Sequence, residues 1–112
     1  TLYWRTTAPL TTRYKVFTHV LGETFNARSS NFLWGQQDNE PGMGQRQTTL
    51  WSTDTLIADH YRIPVDPSAP PGDYTLEIGM YGLVDGARLP ASAQSLPVHN
   101  DAVLLTTIRV VE

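Results

Sequence analysis

Ala69 to Gly82 reads "APPGDYTLEIGMYG", and this stretch decides the fold. Two prolines and a glycine exclude a helix at its start, because proline removes a backbone donor and clashes with the preceding turn. Tyr74, Leu76, Ile78 and Met80 then alternate with Thr75, Glu77, Gly79 and Tyr81. Side chains of a strand point to opposite faces with period two, so this is a half-buried strand with one apolar face. Burying each large apolar side chain is worth roughly 1.5–3 kcal/mol, so the strand is read as one wall of a core. The turn ahead of it is read as scaffold: Pro70 and Pro71 stiffen the crossing and Gly72 can supply a positive φ.

Upstream, Pro64 to Gly72 holds four prolines and reads as a stiff extended connection. Leu56 to Ile63 precedes it as a strand, with Ile57, Asp59, Tyr61 and Ile63 on one face and Ala58, His60 and Arg62 on the other. Downstream, Asp85-Gly86 is a tight-turn pair that closes a hairpin onto Ala87 to Leu89. Ala91 to Asp101 reads as loop and Ala102 to Val111 as the terminal strand. Towards the N-terminus, Leu2 to Arg5 is a short strand, broken by Ala8-Pro9-Leu10. Arg13 to Leu21, "RYKVFTHVL", is the second strand. Tyr14, Val16, Thr18 and Val20 share one of its faces; Lys15, Phe17, His19 and Leu21 share the other. Gly22 to Asn26 reads as a turn and Phe32 to Gln36 as a third strand. Gln36 to Gln47, "QQDNEPGMGQRQ", is polar and glycine-rich and reads as a long loop.

No segment shows a sustained 3.6-residue period. Roughly six or seven short strands, with turn signals about every ten residues, predict an all-β, antiparallel β-sandwich of Ig-like or fibronectin-like architecture. The 112 residues make one domain, residues 1–112, with an ordinary 40% apolar content. Net charge is −3 and the basic residues are scattered singly, which argues against nucleic acid and against a polybasic membrane contact. There are no cysteines, hence no disulfides and no thiolate metal site. No signal peptide or spanning helix is visible. The chain opens on Thr1-Leu2-Tyr3-Trp4, already strand-like, and is therefore expected to be a domain of a longer protein.

Each candidate for chemistry has a plainer reading beside it. "GMGQRQ" at 42–47 begins like a phosphate loop, but lacks the third glycine, the Lys-Ser/Thr and the strand–helix context. His19, His60 and His99 share no short ligand spacing, and no cofactor is expected. Asp38 and Glu40 sit in an oxygen-rich loop and are candidate calcium ligands, with Asp54 and Asp59 of the same type, although no EF-hand spacing is present. No Gly-x-Ser-x-Gly elbow exists. A small hydrolase or metal-dependent enzyme is the remotest reading, and the chain is expected not to be an enzyme. Trp34 and Trp51 flank the polar loop, and aromatic faces can stack on sugar rings. A carbohydrate-binding module would use them as its platform, with Gln37 and Asp38 on the polar rim; the plainer reading makes them core.

Taken in order, "LYWR" at 2–5, "YKVFTHVL" at 14–21, "QQDNEPG" at 36–42, "TTLW" at 48–51, "DHYRIPV" at 59–65, "PPGDYTLEIGMYG" at 70–82 and "GARLP" at 86–90 form a set. The set resembles the β-sandwich region near the C-terminal end of large multi-spanning bacterial membrane proteins. Those proteins look like dolichyl-phosphate-mannose-type glycosyltransferases and are common in Chloroflexi-like bacteria. Family members often show a Gly-Glu pair where this chain has Ser52-Thr53-Asp54-Thr55. The resemblance implies a sandwich on the extracytoplasmic face, as a non-catalytic accessory or interaction domain. The partner would be a glycan or the membrane-embedded part of the same parent chain. The family's chemistry lies in the membrane part, so no catalytic residue carries over.

Overall fold

The computed structural model describes residues 1–112. Seven strands follow one another: β1 (Leu2–Trp4), β2 (Tyr14–Asn26), β3 (Asn31–Gln36), β4 (Ile57–Asp59), β5 (Gly72–Gly82), β6 (Val98–His99) and β7 (Ala102–Val110). A single 3-10 turn, Thr48–Leu50, is the only helical element. The strands form an antiparallel five-stranded sheet, in the order β3-β2-β5-β7-β6, and a two-stranded ribbon of β1 and β4. The chain is thus all-β and β-sandwich-like, as the alternation in β5 predicts.

The stretch at 69–82 supplies β5, the centre of the large sheet, flanked by β2 and β7. Its apolar face does form a core wall. Tyr74 is buried and packs with Val20, Trp34 and Ala69, and half-buried Leu76, Ile63, Val65, Ile108 and Val110 close around them. The Tyr74 hydroxyl donates to the Pro70 carbonyl at 2.5 Å. That bond ties the proline crossing onto the strand it leads into, so Pro70-Pro71-Gly72 is scaffold. On β2, Val16, Thr18 and Val20 are buried on the same side. Leu2 and Trp4 of the ribbon border clefts that they share with Leu76, Ile78 and Met80.

The other side of the large sheet, carrying Phe17, His19, Glu77 and Tyr81, lacks a second sheet over it. Phe17 is nonetheless fully buried. It lies directly over Gly79, its cross-strand partner, where an added Cβ would come within 2.4 Å of the ring. The β6–β7 turn covers the same spot, with the Asp101 carbonyl at 3.0 Å from that Cβ position. Asn100 and Asp101 both have positive φ, 50° and 58°, as a two-residue hairpin with matching twist requires.

Four expectations are corrected in detail. Gly22 to Asn26 is not a turn: β2 runs through it to Asn26, and the chain reverses over residues 27–30. Gly22 is there for close approach, since a Cβ would meet the Tyr74 ring at 2.6 Å and the Trp34 indole at 3.0 Å. Strand 56–63 shortens to β4, because beyond Asp59 the backbone donors turn to side chains, Arg62 N–H to Gln37 Oε1 at 3.0 Å. Residues 87–89 return beside β5 through a single bridge, Tyr81 to Arg88, rather than as a strand. The 91–101 segment is not all loop, since it contains β6.

Candidate functional site

The polar segment after β3 is not free. Gln37 N–H donates to the Thr18 carbonyl at 3.1 Å, and Val16 and Asn39 exchange two backbone bonds at 2.9 and 3.1 Å. Residues 37–39 thereby continue along the edge of β2. Alternation then separates their side chains. Gln37 and Asn39 reach one side and Asp38 the other, and two distinct polar constellations result.

The first is enclosed. Asp59, fully buried, accepts three hydrogen bonds. Its Oδ1 takes the Gly42 N–H at 2.8 Å. Its Oδ2 takes the Trp4 indole N–H at 3.0 Å and the Tyr61 hydroxyl at 2.6 Å. Burial and the bond to Asp59 hold the Tyr61 phenol far above its ordinary range. Asn39 Nδ2 donates to the Tyr61 oxygen at 3.3 Å, and Gln37 Nε2 donates to Asn39 Oδ1 at 3.0 Å. The motifs "DHYRIPV", "QQDNEPG" and "LYWR" therefore meet in one network that joins ribbon, loop and sheet. A buried carboxylate needs all its acceptors filled, and here the donors that fill them are structural. "TTLW" works in the same way: the buried Thr48 hydroxyl donates to the Thr12 carbonyl at 2.7 Å and accepts the Tyr14 N–H at 3.1 Å.

The second lies on the other side of the sheet. His19 and Glu77 are cross-strand partners, and His19 Nδ1 is 3.1 Å from Glu77 Oε1. Its Nε2 faces Asp38 Oδ1 at 3.7 Å. Asp38 Oδ1 is buried and has no hydrogen-bond partner. Asp38 Oδ2 is touched by the Tyr81 hydroxyl at 3.4 Å. Burial, with the Asp38 charge behind it, raises the Tyr81 phenol. Arg88 stacks on the Phe17 ring, 4.3 Å from its centroid, and donates from Nη1 to the Asn100 carbonyl at 2.8 Å. Phe17, His19, Asp38, Tyr81, Gly86 and Arg88 line a cavity of about 200 Å³. Glu77 also borders a broader, shallow cavity of about 470 Å³, whose wall includes Glu23, Asp73, Thr75 and His99.

Trp34 and Trp51 do not form a platform. They are 7% and 9% exposed, and each indole N–H is committed to a backbone carbonyl, Trp34 to Thr24 at 2.9 Å and Trp51 to Arg46 at 2.7 Å. A stacking surface needs an open ring face, and these rings are packed inside. Gln37 belongs to the Asp59 network rather than to a ligand rim. Glu40 is held by the Arg13 guanidinium at 2.9 Å, away from the Asp38 cavity, so the two do not converge on an ion. No three His, Asp or Glu side chains gather as a metal set. His60 pairs with the Thr1 hydroxyl at 2.8 Å. Of the four ligand-rim candidates, Asp38 lines the cavity beside His19, and Trp34 borders a separate cleft with Asn26, Arg28 and Asp66. The partners His19, Glu77, Tyr81 and Arg88 escape a reading of single strands. Their signal is the β2–β5 register, which sets Phe17 against Gly79 and His19 against Glu77.

These features define a β-sandwich-like domain with one structural clamp and one open polar face. No family model, curated protein or solved structure matches the chain.

Proposed function

We propose that the chain is a non-catalytic, extracytoplasmic accessory domain of a membrane glycosyltransferase-like protein, acting by binding. One observation carries this reading. Three of the seven motifs that give the chain its resemblance meet in the Asp59 network, where both carboxylate oxygens are used to hold ribbon, loop and sheet together. Their role is to preserve an architecture, as a scaffold for an exposed face requires. An Ig-like or fibronectin-like relationship belongs to the same proposal. Carbohydrate binding as the mode of interaction is favoured by a separate feature, the unpartnered Asp38 oxygen beside His19.

The topology is tested in the source cells with an antibody raised against residues 1–112. The expected result is one polypeptide in the membrane fraction, much heavier than 12.5 kDa, whose reactive part is digested by protease added outside intact spheroplasts. A 12.5 kDa species in the soluble fraction, or an epitope protected from external protease, overturns the reading.

A further inference from the structure

We propose that the cavity between Phe17, His19, Asp38, Tyr81 and Arg88 receives one sugar ring, held through a pair of neighbouring hydroxyls. The inference rests on the binding role argued above and names its ligand class.

The chemistry of the cavity follows from its partners. Glu77 is an acceptor when ionised, so a neutral His19 ring places its proton on Nδ1 to donate to Glu77 Oε1. Its Nε2 is then a lone pair, aimed at Asp38 Oδ1 across 3.7 Å. In that tautomer two acceptors face one another, and Asp38 Oδ1 has no donor. A buried acceptor left unfilled is unfavourable, so the gap favours a ligand that brings hydrogens. Arg88 lines the cavity and spends one nitrogen on the Asn100 carbonyl, which leaves its other N–H groups without a protein acceptor. Vicinal hydroxyls answer both demands. One donates to Asp38 Oδ1. Its neighbour donates to His19 Nε2 and accepts from Arg88.

Size and rigidity agree with this. Drug-sized ligands occupy roughly 300–1,000 Å³, whereas about 200 Å³ suits a single ring. The wall is preorganised: Phe17 is locked over Gly79, Arg88 is stacked on Phe17, and Glu77 orients His19. Little ordering is then required on binding. His19 lines this cavity and its cross-strand partner Glu77 lines the broader one, so a glycan longer than one ring would pass over that pair towards Thr75 and His99.

The test uses the ¹⁵N-labelled chain, titrated separately with methyl α-mannopyranoside, methyl β-glucopyranoside, methyl β-galactopyranoside and methylammonium chloride. At least one glycoside is expected to give saturable amide shifts centred on Phe17, His19, Asp38, Tyr81 and Arg88. Asp38→Ala is expected to weaken that binding about tenfold or more, since it removes a hydrogen bond to a charged acceptor. Asp38→Asn, of the same shape, serves where the alanine variant does not keep the folded spectrum. Saturable shifts from no glycoside overturn the proposal. So do shifts elsewhere on the surface, shifts unaffected by both Asp38 variants, or a response to methylammonium alone, which would make this a cation site. Failure here leaves the membrane-fraction result standing, and failure there leaves this titration standing.

Discussion

Tyr61 shows how one hydroxyl can tie a fold to pH. Its proton lies in the Asp59 network, and burial together with that carboxylate opposes its loss. An unfolded tyrosine releases its proton near pH 10, while the folded Tyr61 keeps it. Between those points the native state binds more protons than the unfolded state, so stability falls as pH rises. The contribution is fully present below about pH 10 and is lost progressively above it. Tyr61→Phe is expected to lower stability by about 1–2 kcal/mol at neutral pH, through one lost hydrogen bond to Asp59. It should also flatten the alkaline decline. Urea midpoints of the two proteins, measured from neutral pH to beyond pH 10, check both effects. Tyr74 and Tyr81 are raised by burial too, so the wild type minus variant difference isolates Tyr61. Curves that stay parallel across the range would remove the linkage. At this scale the sequence was informative in part. Alternation puts Ile57, Asp59 and Tyr61 on one face, and Asp59 and Tyr61 do bond there although β4 ends at Asp59. The other two donors to Asp59, the Gly42 N–H and the Trp4 indole, were illegible, because they come from segments far away in the chain.

Pairing of β2 with β5 is the element on which both faces of the large sheet depend. Phe17 needs the missing side chain of Gly79: a Cβ there would lie 2.4 Å from the ring, with the Asp101 carbonyl at 3.0 Å on its other flank. The ring is fully buried and cannot swing aside without displacing Arg88 or the β6–β7 turn. Gly79→Ala is therefore expected to destabilise the chain by about 1–3 kcal/mol, as overpacked cores do. Phe17→Leu in the same background should recover part of that loss, because the smaller side chain vacates the space the methyl takes. Denaturant unfolding of the two single variants and the double variant gives the coupling directly. Strictly additive losses would mean that the methyl meets the β6–β7 turn rather than the ring. Alternation alone located these strands and sorted their faces. It read Gly22 as a turn signal, and the error is physical: a glycine required for close approach to Tyr74 and Trp34 looks, in sequence, like one required for a positive φ. The two tryptophans were equally ambiguous. Loop-flanking position suggested exposure, while their burial follows from backbone carbonyls, of Thr24 and Arg46, that accept their N–H groups.

At the scale of the molecule, the large sheet has two edges, and they are protected differently. Beyond β3 the chain returns alongside: Gly35 bridges Val65, and the Asp66 N–H reaches the Trp34 carbonyl at 2.7 Å. On the other side β6 covers only Ala102 and Val103, so β7 is open from Leu105 to Val110. An open edge of that length invites pairing with a second copy. Two features of β7 oppose it. Leu105 is an extra residue against β5, between the Leu76–Thr106 and Glu77–Leu104 pairs, and such a bulge bends and twists the edge. The exposed positions beyond it are Thr106, Thr107 and Arg109, with Arg109 held to Asp73 at 3.0 Å. Polar groups and a charge on a twisted edge disfavour a continuous intermolecular ladder. The chain is therefore expected to be a monomer of 12.5 kDa across a wide range of concentrations in size-exclusion chromatography with light scattering. Arg109→Val, which restores an apolar β-branched position on the edge, should be the change that promotes self-association. A wild-type dimer dispersed by Thr107→Pro would show instead that β7 is an interface, and that bulge and charge together do not protect it.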